Sequence, residues 1–466
     1  MTSRTAAEAP SASSVMKAVF LSLLTLAAAV SPAVVVPCRI RVVEKESGWP
    51  VPLVQLVTVN GIRFVTDNAG VVAMGEPDLM DREVWFSVEG QGYGVPKDGF
   101  GNAGVRLTPR PGATRTIEVT RNVRARRLGR IGGSGLFAES EKCGDPPRGA
   151  ESGEVGRDSV QCQPYGDGLF WLWGDTSLAN YPLGVFNVTA ARTPNPAFPR
   201  PEPPVDPGYR GFLDARGRPR GVMPPQGEGP VWIFGLVNLR DRAGGEHLGG
   251  VWSQIRGFCQ PYRIGLCEWN PEKERFAVLD TIWNEASGAP RPERVPDVNH
   301  VRWTDPEGKR WILFGAPYPR LRIPDSYEAW RDTNAWEAVH CPERRIAKRG
   351  GGHVESRGGQ VVWSACRGKW VSLFHVPLDF GAVWYAEADA PTGPWRNAVK
   401  VLDHDNYTFY NVVIHAEYGP DAPYLVFEGT YTRLFAQKPV PTARYDYTQV
   451  LYRLDFADLD RKFPAR

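Results

Sequence analysis

The sequence predicts an all-β protein, a small N-terminal β-sandwich followed by a five-bladed β-propeller. Three observations carry this expectation. The 49 Gly and 42 Pro make up about a fifth of the 466 residues without a Gly-X-Y period, which excludes collagen and calls for many turns between short strands. Tryptophan is concentrated late, with 14 of 16 copies after residue 160, so the second part of the chain has its own composition. Aromatic-rich runs recur in that part: Leu169–Trp173, Pro230–Phe234, Arg310–Phe314, Trp370–Phe374 and Pro423–Phe427. Their spacing of roughly 50–80 residues is that of repeated four-stranded modules, and five modules mean five blades.

The first unit spans 38–123. Arg39–Val43 and Pro52–Val59 read as strands, and Asn60-Gly61 is a two-residue hairpin signal returning into Ile62–Thr66. Asp67–Gly70 turns the chain into Val71–Met74. Glu83–Glu89 alternates with Val84, Phe86 and Val88 on one face, and Arg115–Thr120 closes the unit. The runs Gly48-Trp-Pro-Val-Pro-Leu-Val and Phe64-Val-Thr-Asp-Asn-Ala-Gly70 resemble the carboxypeptidase regulatory-like domains of the transthyretin-type sandwich. That resemblance implies an accessory module.

Residues 124–157 read as a linker. The run Arg121, Arg124, Arg126, Arg127 and Arg130 is expected to be a solvated connector rather than a nucleic-acid site, since 55 Lys+Arg stand against 52 Asp+Glu. The same balance excludes a polyanion binder driven by bulk charge, and an acidic disordered chain. From 158 to 456 the five runs are followed by further strands, such as Leu183–Ala191, Arg263–Trp269, Val383–Ala388 and Gln449–Leu454. The insertions 193–228, 240–262 and 316–350 are expected to be long loops, with one helix over Tyr327–Val339. Residues 457–466 form a tail.

The apolar run Ala18–Val36 after Lys17 reads as a secretory signal peptide within residues 1–37, with an uncleaved anchor as the alternative. The protein is therefore expected to be secreted, periplasmic or held in the cell envelope, with no stable membrane insertion after cleavage. Export would let Cys259 pair with Cys267, and Cys341 with Cys366; buried free cysteine is the alternative for all seven. No C-x-x-C motif is present, so a zinc ribbon or thioredoxin-like redox site has no support. No cofactor or metal is predicted.

A propeller directs the starts of its innermost strands at one funnel. Those starts carry Arg157-Asp-Ser-Val160, Asp297-Val-Asn-His300, Gly352-His-Val-Glu-Ser-Arg357, and Tyr410-Asn411 with His415. Second strands end in Gly174-Asp-Thr176 and Phe427-Glu-Gly-Thr-Tyr-Thr432. The elements Asp158-Ser-Val, Trp171-Leu-Trp-Gly-Asp-Thr176 and Ala388-Asp-Ala-Pro-Thr-Gly-Pro-Trp395 resemble the five-bladed glycoside hydrolase superfamily of arabinanases. The whole region is also similar to planctomycete-type proteins in which a small sandwich precedes such a propeller. The chain departs from the arabinanase pattern in lacking Pro after Asp158.

The resemblance implies cleavage of a polysaccharide or oligosaccharide by two carboxyl groups, one a protonated acid and the other a base or nucleophile. It places Asp158 as the base, with a turn-forming Asp as the alternative. Glu355 is the candidate acid, on the expectation that burial beside Val354 and Trp363 raises its pKa; a surface Glu near Arg357 is the alternative. Asp175 and Glu428 are further catalytic candidates that orient hydroxyls or stand in for Glu355, unless they cap turns. His300, His353, His415, Asn411 and Tyr410 are candidate substrate-binding residues. Trp171, Trp173, Trp232, Trp311 and Trp363 are expected in the core, and Trp252, Trp283, Trp330 and Trp336 on loops that stack against sugars. Two other functions fit the same pattern: a non-catalytic carbohydrate- or protein-binding propeller, and a polysaccharide lyase with Tyr410 or His415 as base.

Overall fold

The computed structural model describes residues 36–463 except 134–136, 148–152, 258, 342–343, 405–406, 437–439 and 441–443. The expected signal peptide lies outside the described residues. No helix among the described residues is long and apolar enough to cross a membrane.

Alternation of apolar and polar residues builds the first unit. In Cys38–Glu44 the side chains of Cys38, Ile40 and Val42 are buried, while Arg39 and Arg41 between them face away. This strand pairs antiparallel with Val71–Met74 and parallel with Thr114–Arg121. A second four-stranded sheet holds Arg63–Val65, Gln55–Thr58, Val84–Glu89 and Gly104–Leu107. The two sheets enclose one core that includes Ile40, Val42, Leu56, Phe86, Val88 and Ile117. Asn60-Gly61 forms the expected hairpin turn, and Gly61 takes the left-handed φ of 86° that such a turn requires.

Five four-stranded antiparallel sheets follow, here sheets 1 to 5. Sheet 1 contains Gln161–Tyr165, Gly168–Trp173, Thr189–Pro194 and Arg210–Gly211; sheet 2 contains Val231–Arg240, Glu246–Arg256, Gln260–Asn270 and Arg275–Asn284. Sheet 3 contains His300–Thr304, Arg310–Phe314, Leu321–Pro324 and Glu337–Ala338; sheet 4 contains Gly358–Ser364, Lys369–Val376, Asp379–Ala388 and Arg396–Asp403. Sheet 5 runs Thr408–Ile414, Tyr424–Thr432, Thr448–Asp455, and takes its fourth strand, Arg126–Arg130, from ahead of sheet 1.

That last strand corrects the expectation of a solvated linker. Arg121, Arg127 and Arg130 are buried. Arg121 pairs with Glu44 at 2.9 Å and Asp458 at 2.8 Å, and Arg126 with Glu44 at 2.7 Å and Asp455 at 2.9 Å. Arg127 donates to the Pro52, Gln91 and Leu53 carbonyls of the first unit. The arginines bolt the first unit to sheet 5.

Side-chain amides on first strands join one sheet to the next. Gln161 donates to the Ile233 carbonyl at 2.7 Å and accepts from the Leu236 N–H at 2.8 Å, tying sheet 1 to sheet 2. Asn299, just before sheet 3, donates to Gly359 of sheet 4 at 3.2 Å and to Val412 of sheet 5 at 3.5 Å. Gln360 accepts from the Ile414 N–H, tying sheet 4 to sheet 5. Buried amides need such partners, and here the partners are neighbouring sheets.

Three further expectations are corrected. The helix is shorter than expected, Tyr327–Arg331, followed by a 3-10 turn at Thr333–Ala335. Trp252 and Trp330 are fully buried rather than on exposed loops, Trp252 within the second strand of sheet 2 (Glu246–Arg256) and Trp330 on the short helix; Trp363 is instead 43% exposed. All seven cysteines are free thiols, so neither expected disulfide forms; Cys267 is buried and Cys259 exposed.

Candidate functional site

The first strands of sheets 1 to 5, or the residues just before them, line one cavity of about 890 Å3. Sheet 1 contributes Asp158 to Gln161, sheet 2 Trp232 to Gly235, sheet 3 Asp297 to Asn299, sheet 4 Arg357 to Gly359 with His375, and sheet 5 Tyr410 to Val413. Non-glycine residues in left-handed backbone concentrate here. Ser159 (φ 46°), Cys259 (56°), Asn411 (56°) and Phe435 (64°) all line the cavity. Such backbone is costly and gathers at functional sites. Two of these residues hold each other, since the Asn411 amide donates to Ser159 Oγ at 2.9 Å.

Asp158 sits at the centre of this arrangement. Tyr410 Oη donates to Asp158 Oδ2 at 3.1 Å, and the Tyr447 hydroxyl also bonds the carboxylate. Burial pushes the Asp158 carboxyl up, while these hydroxyls and nearby N–H groups favour its charged form. The backbone beneath is clamped by reciprocal bonds: Asp158 N–H to the Asp175 carbonyl and Gly174 N–H to the Asp158 carbonyl, both 3.0 Å. Gly174 is required by space, since a Cβ there would lie 2.2 Å from Asp158 Oδ1. Gly174→Ala must therefore displace the carboxylate. We expect it to cut kcat by about 10²-fold, the cost of roughly 1 Å misplacement, with a smaller effect on melting; equal kcat in a rate assay would refute the placement.

Asp175 does not line the cavity itself. Its Oδ1 accepts from Trp232 Nε1 at 3.0 Å, and Trp232 does line it. Burial, then the neighbouring Asp158 charge, pushes Asp175 up to about 7. Neighbouring carboxylates resist joint ionisation, so charge on Asp158 favours the protonated form of Asp175.

The second carboxyl in the cavity wall is Asp297. Burial raises it, and Arg320 at 3.5 Å opposes the rise. It is held by close backbone approach: Gly235 (φ 61°) faces it, and a Cβ there would meet the Pro296 carbonyl at 1.8 Å.

Glu355 is not in the cavity. It is an exposed residue of a separate two-stranded sheet, Arg345–Ala347 with His353–Glu355. Neighbours in a strand face opposite ways, so the packing of Val354 turns Glu355 outward rather than burying it. His353 is exposed in the same strand. His300 lines only a small adjoining cavity of about 20 Å3, and burial lowers it to about 3, so it is neutral there.

His415 and Glu428 lie behind the cavity, fully buried. His415 Nε2 meets Glu428 at 3.1 Å and Nδ1 meets Glu417 at 2.9 Å, with Trp171 and Phe198 packed on the ring. Burial opposes the imidazolium, but the two carboxylates outweigh it and raise His415 to about 10. Its stabilising contribution is complete below the ordinary histidine range and disappears as pH climbs through about 10. Wild type is therefore expected to lose more melting temperature between pH 7 and 10 than His415→Gln does. Parallel losses in calorimetry would contradict this.

Tyr410 and Asn411 are in the cavity as expected. The sequence places Asp297 and Arg357 at strand starts without a site role and reads Trp232 as core, while Tyr447, Arg320 and Arg344 carry no sequence signal. Asp297 shares the strand-start position of Asp158, which is the signal that marks it.

No family model matches the chain, and no curated protein matches it. Among solved structures the chain is similar to a protein of Bacteroides ovatus (TM-score 0.42, 12% identity, covering 67% of this chain and 89% of that one). It is similar to the exo-beta-1,3-galactanase of Phanerochaete chrysosporium with galactose (TM-score 0.37, 8% identity, 66% and 63% covered). A third is the GH43_1 enzyme of Xanthomonas citri complexed with xylose (TM-score 0.36, 12% identity, 64% and 86% covered).

Proposed function

We propose that the chain is a secreted or envelope-associated glycan hydrolase, in which sheets 1 to 5 act as five propeller blades and the first unit is an accessory sandwich. The observation that carries this reading is the pair Asp158 and Asp297. Two carboxyls, both pushed up by burial, reach one sugar-sized cavity from different sheets. Asp158, with Tyr410 and Tyr447 hydroxyls supporting its charged form, takes the proton of the attacking water. Asp297 delivers its proton to the glycosidic oxygen, so that the leaving sugar departs neutral and the pair ends with the proton exchanged. Asp175 accepts the Trp232 N–H and, when protonated, leaves the charge on Asp158. Trp232, Tyr318, Phe380 and Phe435 offer ring faces to the substrate.

The test is a screen of purified protein on neutral and acidic polysaccharides, following reducing ends and the absorbance of unsaturated products. Saturated sugars released by wild type and lost in Asp158→Asn support hydrolysis. Unsaturated products would replace it with elimination, and binding without turnover would make the cavity a recognition site.

A further inference from the structure

We propose that the cavity takes an anionic sugar, a uronate or sulfate-bearing unit, with its charge held by Arg344 and Arg357; the hydrolase reading underlies what then happens to the sugar, not its binding. Three arginines line the cavity: Arg320, Arg344 and Arg357. Only Arg320 has a carboxylate partner, Asp297 at 3.5 Å. Among the described residues Arg344 and Arg357 meet no carboxylate. Arg357 is steered by packing instead, its guanidinium lying 4.7 Å over the Phe380 ring, which also lines the cavity.

The surroundings do not neutralise these cations. Asp158 and Asp297 are the carboxyl groups in the described wall; Asp297 already faces Arg320 and Asp158 accepts from the Tyr410 hydroxyl, and neither is paired with Arg344 or Arg357. Glu355, beside Arg357 in sequence, faces outward. His375, also on the wall, stays neutral: burial and then the nearby Arg357 charge lower it to about 4. Its Nδ1 lies 3.1 Å from the Ala382 carbonyl, which requires the proton on Nδ1 and leaves Nε2 as a buried acceptor without a protein partner. Ser356 Oγ on the same stretch is likewise buried and unpartnered. This side of the cavity therefore combines the guanidiniums of Arg344 and Arg357, without a carboxylate among the described residues, with the unsatisfied Ser356 hydroxyl and the His375 Nε2 acceptor. A neutral glycan would leave the guanidiniums without an anion, whereas a carboxylate or sulfate matches their forked donors.

The test uses full-length protein carrying Asp158→Asn, so that bound sugar is not consumed, and calorimetric titration with three probes of equal length: a uronate oligosaccharide, its carboxyl-reduced neutral form, and a sulfated neutral oligosaccharide. We expect one anionic probe to bind at least roughly tenfold tighter than the neutral form, as a charge-assisted bidentate contact provides. The carboxylate and sulfate arms identify which anion is preferred. Arg357→Gln should erase most of that preference, and Arg357→Lys should restore part of it, which excludes misfolding as the cause. Equal binding of neutral and anionic probes, a preference that survives Arg344→Gln with Arg357→Gln, or no binding of any probe would overturn the proposal. Wild type that binds uronate without cleaving it would defeat the hydrolase reading alone; wild type that cleaves neutral glycans with no anion preference would defeat this inference alone.

Discussion

Asp158→Asn is expected to lower kcat by about 10²–10⁴-fold on any glycan the wild type cleaves, with the melting temperature little changed, because removing a positioned acid or base costs that much. The side chain keeps its size and one oxygen that accepts a tyrosine hydroxyl, so the loss reports chiefly the missing carboxylate charge. Asp297→Asn should cost a similar factor with a different signature. An acid matters most when the departing group is poor, so an activated aryl glycoside should lose far less rate than a natural linkage. The pH dependence separates the roles as well. A base must be ionised and an acid protonated, so kcat/KM should rise on the acidic side through Asp158 and fall on the alkaline side through Asp297. Burial raises both carboxyls, which moves both limbs up in pH. Asp297→Asn should flatten the alkaline limb and keep the acidic one. Glu355→Gln serves as the comparison, and it should leave rate and profile unchanged. A rate within tenfold of wild type for Asp158→Asn would remove the two-carboxylate mechanism.

Why Asp158 was legible and Glu355 was not follows from strand geometry. Asp158 stands at the start of a first strand, immediately before the left-handed Ser159, and such starts converge wherever sheets are arranged about a common cavity. Asp297, Tyr410 and Asn411 follow the same rule. The sequence reading takes burial of Glu355 from its neighbour Val354, yet adjacent residues on a strand face opposite sides, so the neighbour's burial argues for exposure. His415 was expected beside Tyr410 in the funnel, but the strand shifts register between Tyr410 and Val413, and His415 ends up among Trp171, Phe198 and Glu428. Trp232 read as core from its alternation in a strand. Its cavity role depends on an N–H bond to Asp175, 57 positions away, which no local pattern encodes. The arginine run failed for the same reason. Five arginines in ten residues look solvated until Glu44, Asp455 and Asp458 arrive from both ends of the chain.

That long-range cluster supports the other large effect, Glu44→Gln. Glu44 is buried and accepts from Arg121 at 2.9 Å and Arg126 at 2.7 Å, with Ser47 Oγ adding a third bond at 3.0 Å. Burial alone would raise its pKa, but Arg126 and then Arg121 more than reverse this and hold it below the usual carboxylate value. A depressed carboxyl contributes stability that is present above the ordinary glutamate range and is lost as pH falls through its folded value. Substitution by Gln keeps the volume and one acceptor oxygen but removes the carboxylate that Arg121 and Arg126 share, leaving Arg121 only Asp458 and Arg126 only Asp455. Stranding a buried charge costs about 3–5 kcal/mol, and the loss here is smaller than that limit because each guanidinium keeps one aspartate. The consequence reaches further than the first unit. Arg126 begins the strand that completes sheet 5 at the edge opposite the strand of Tyr410, so a loosened cluster frees that outer edge of the sheet. Glu44→Gln should therefore lower the denaturation midpoint markedly and weaken the wild-type loss of stability in acid. Glu89→Gln, which touches only the half-exposed pair with Arg63, should change little. If both variants unfold at the wild-type denaturant midpoint, the arginine cluster is not what joins the first unit to the sheets.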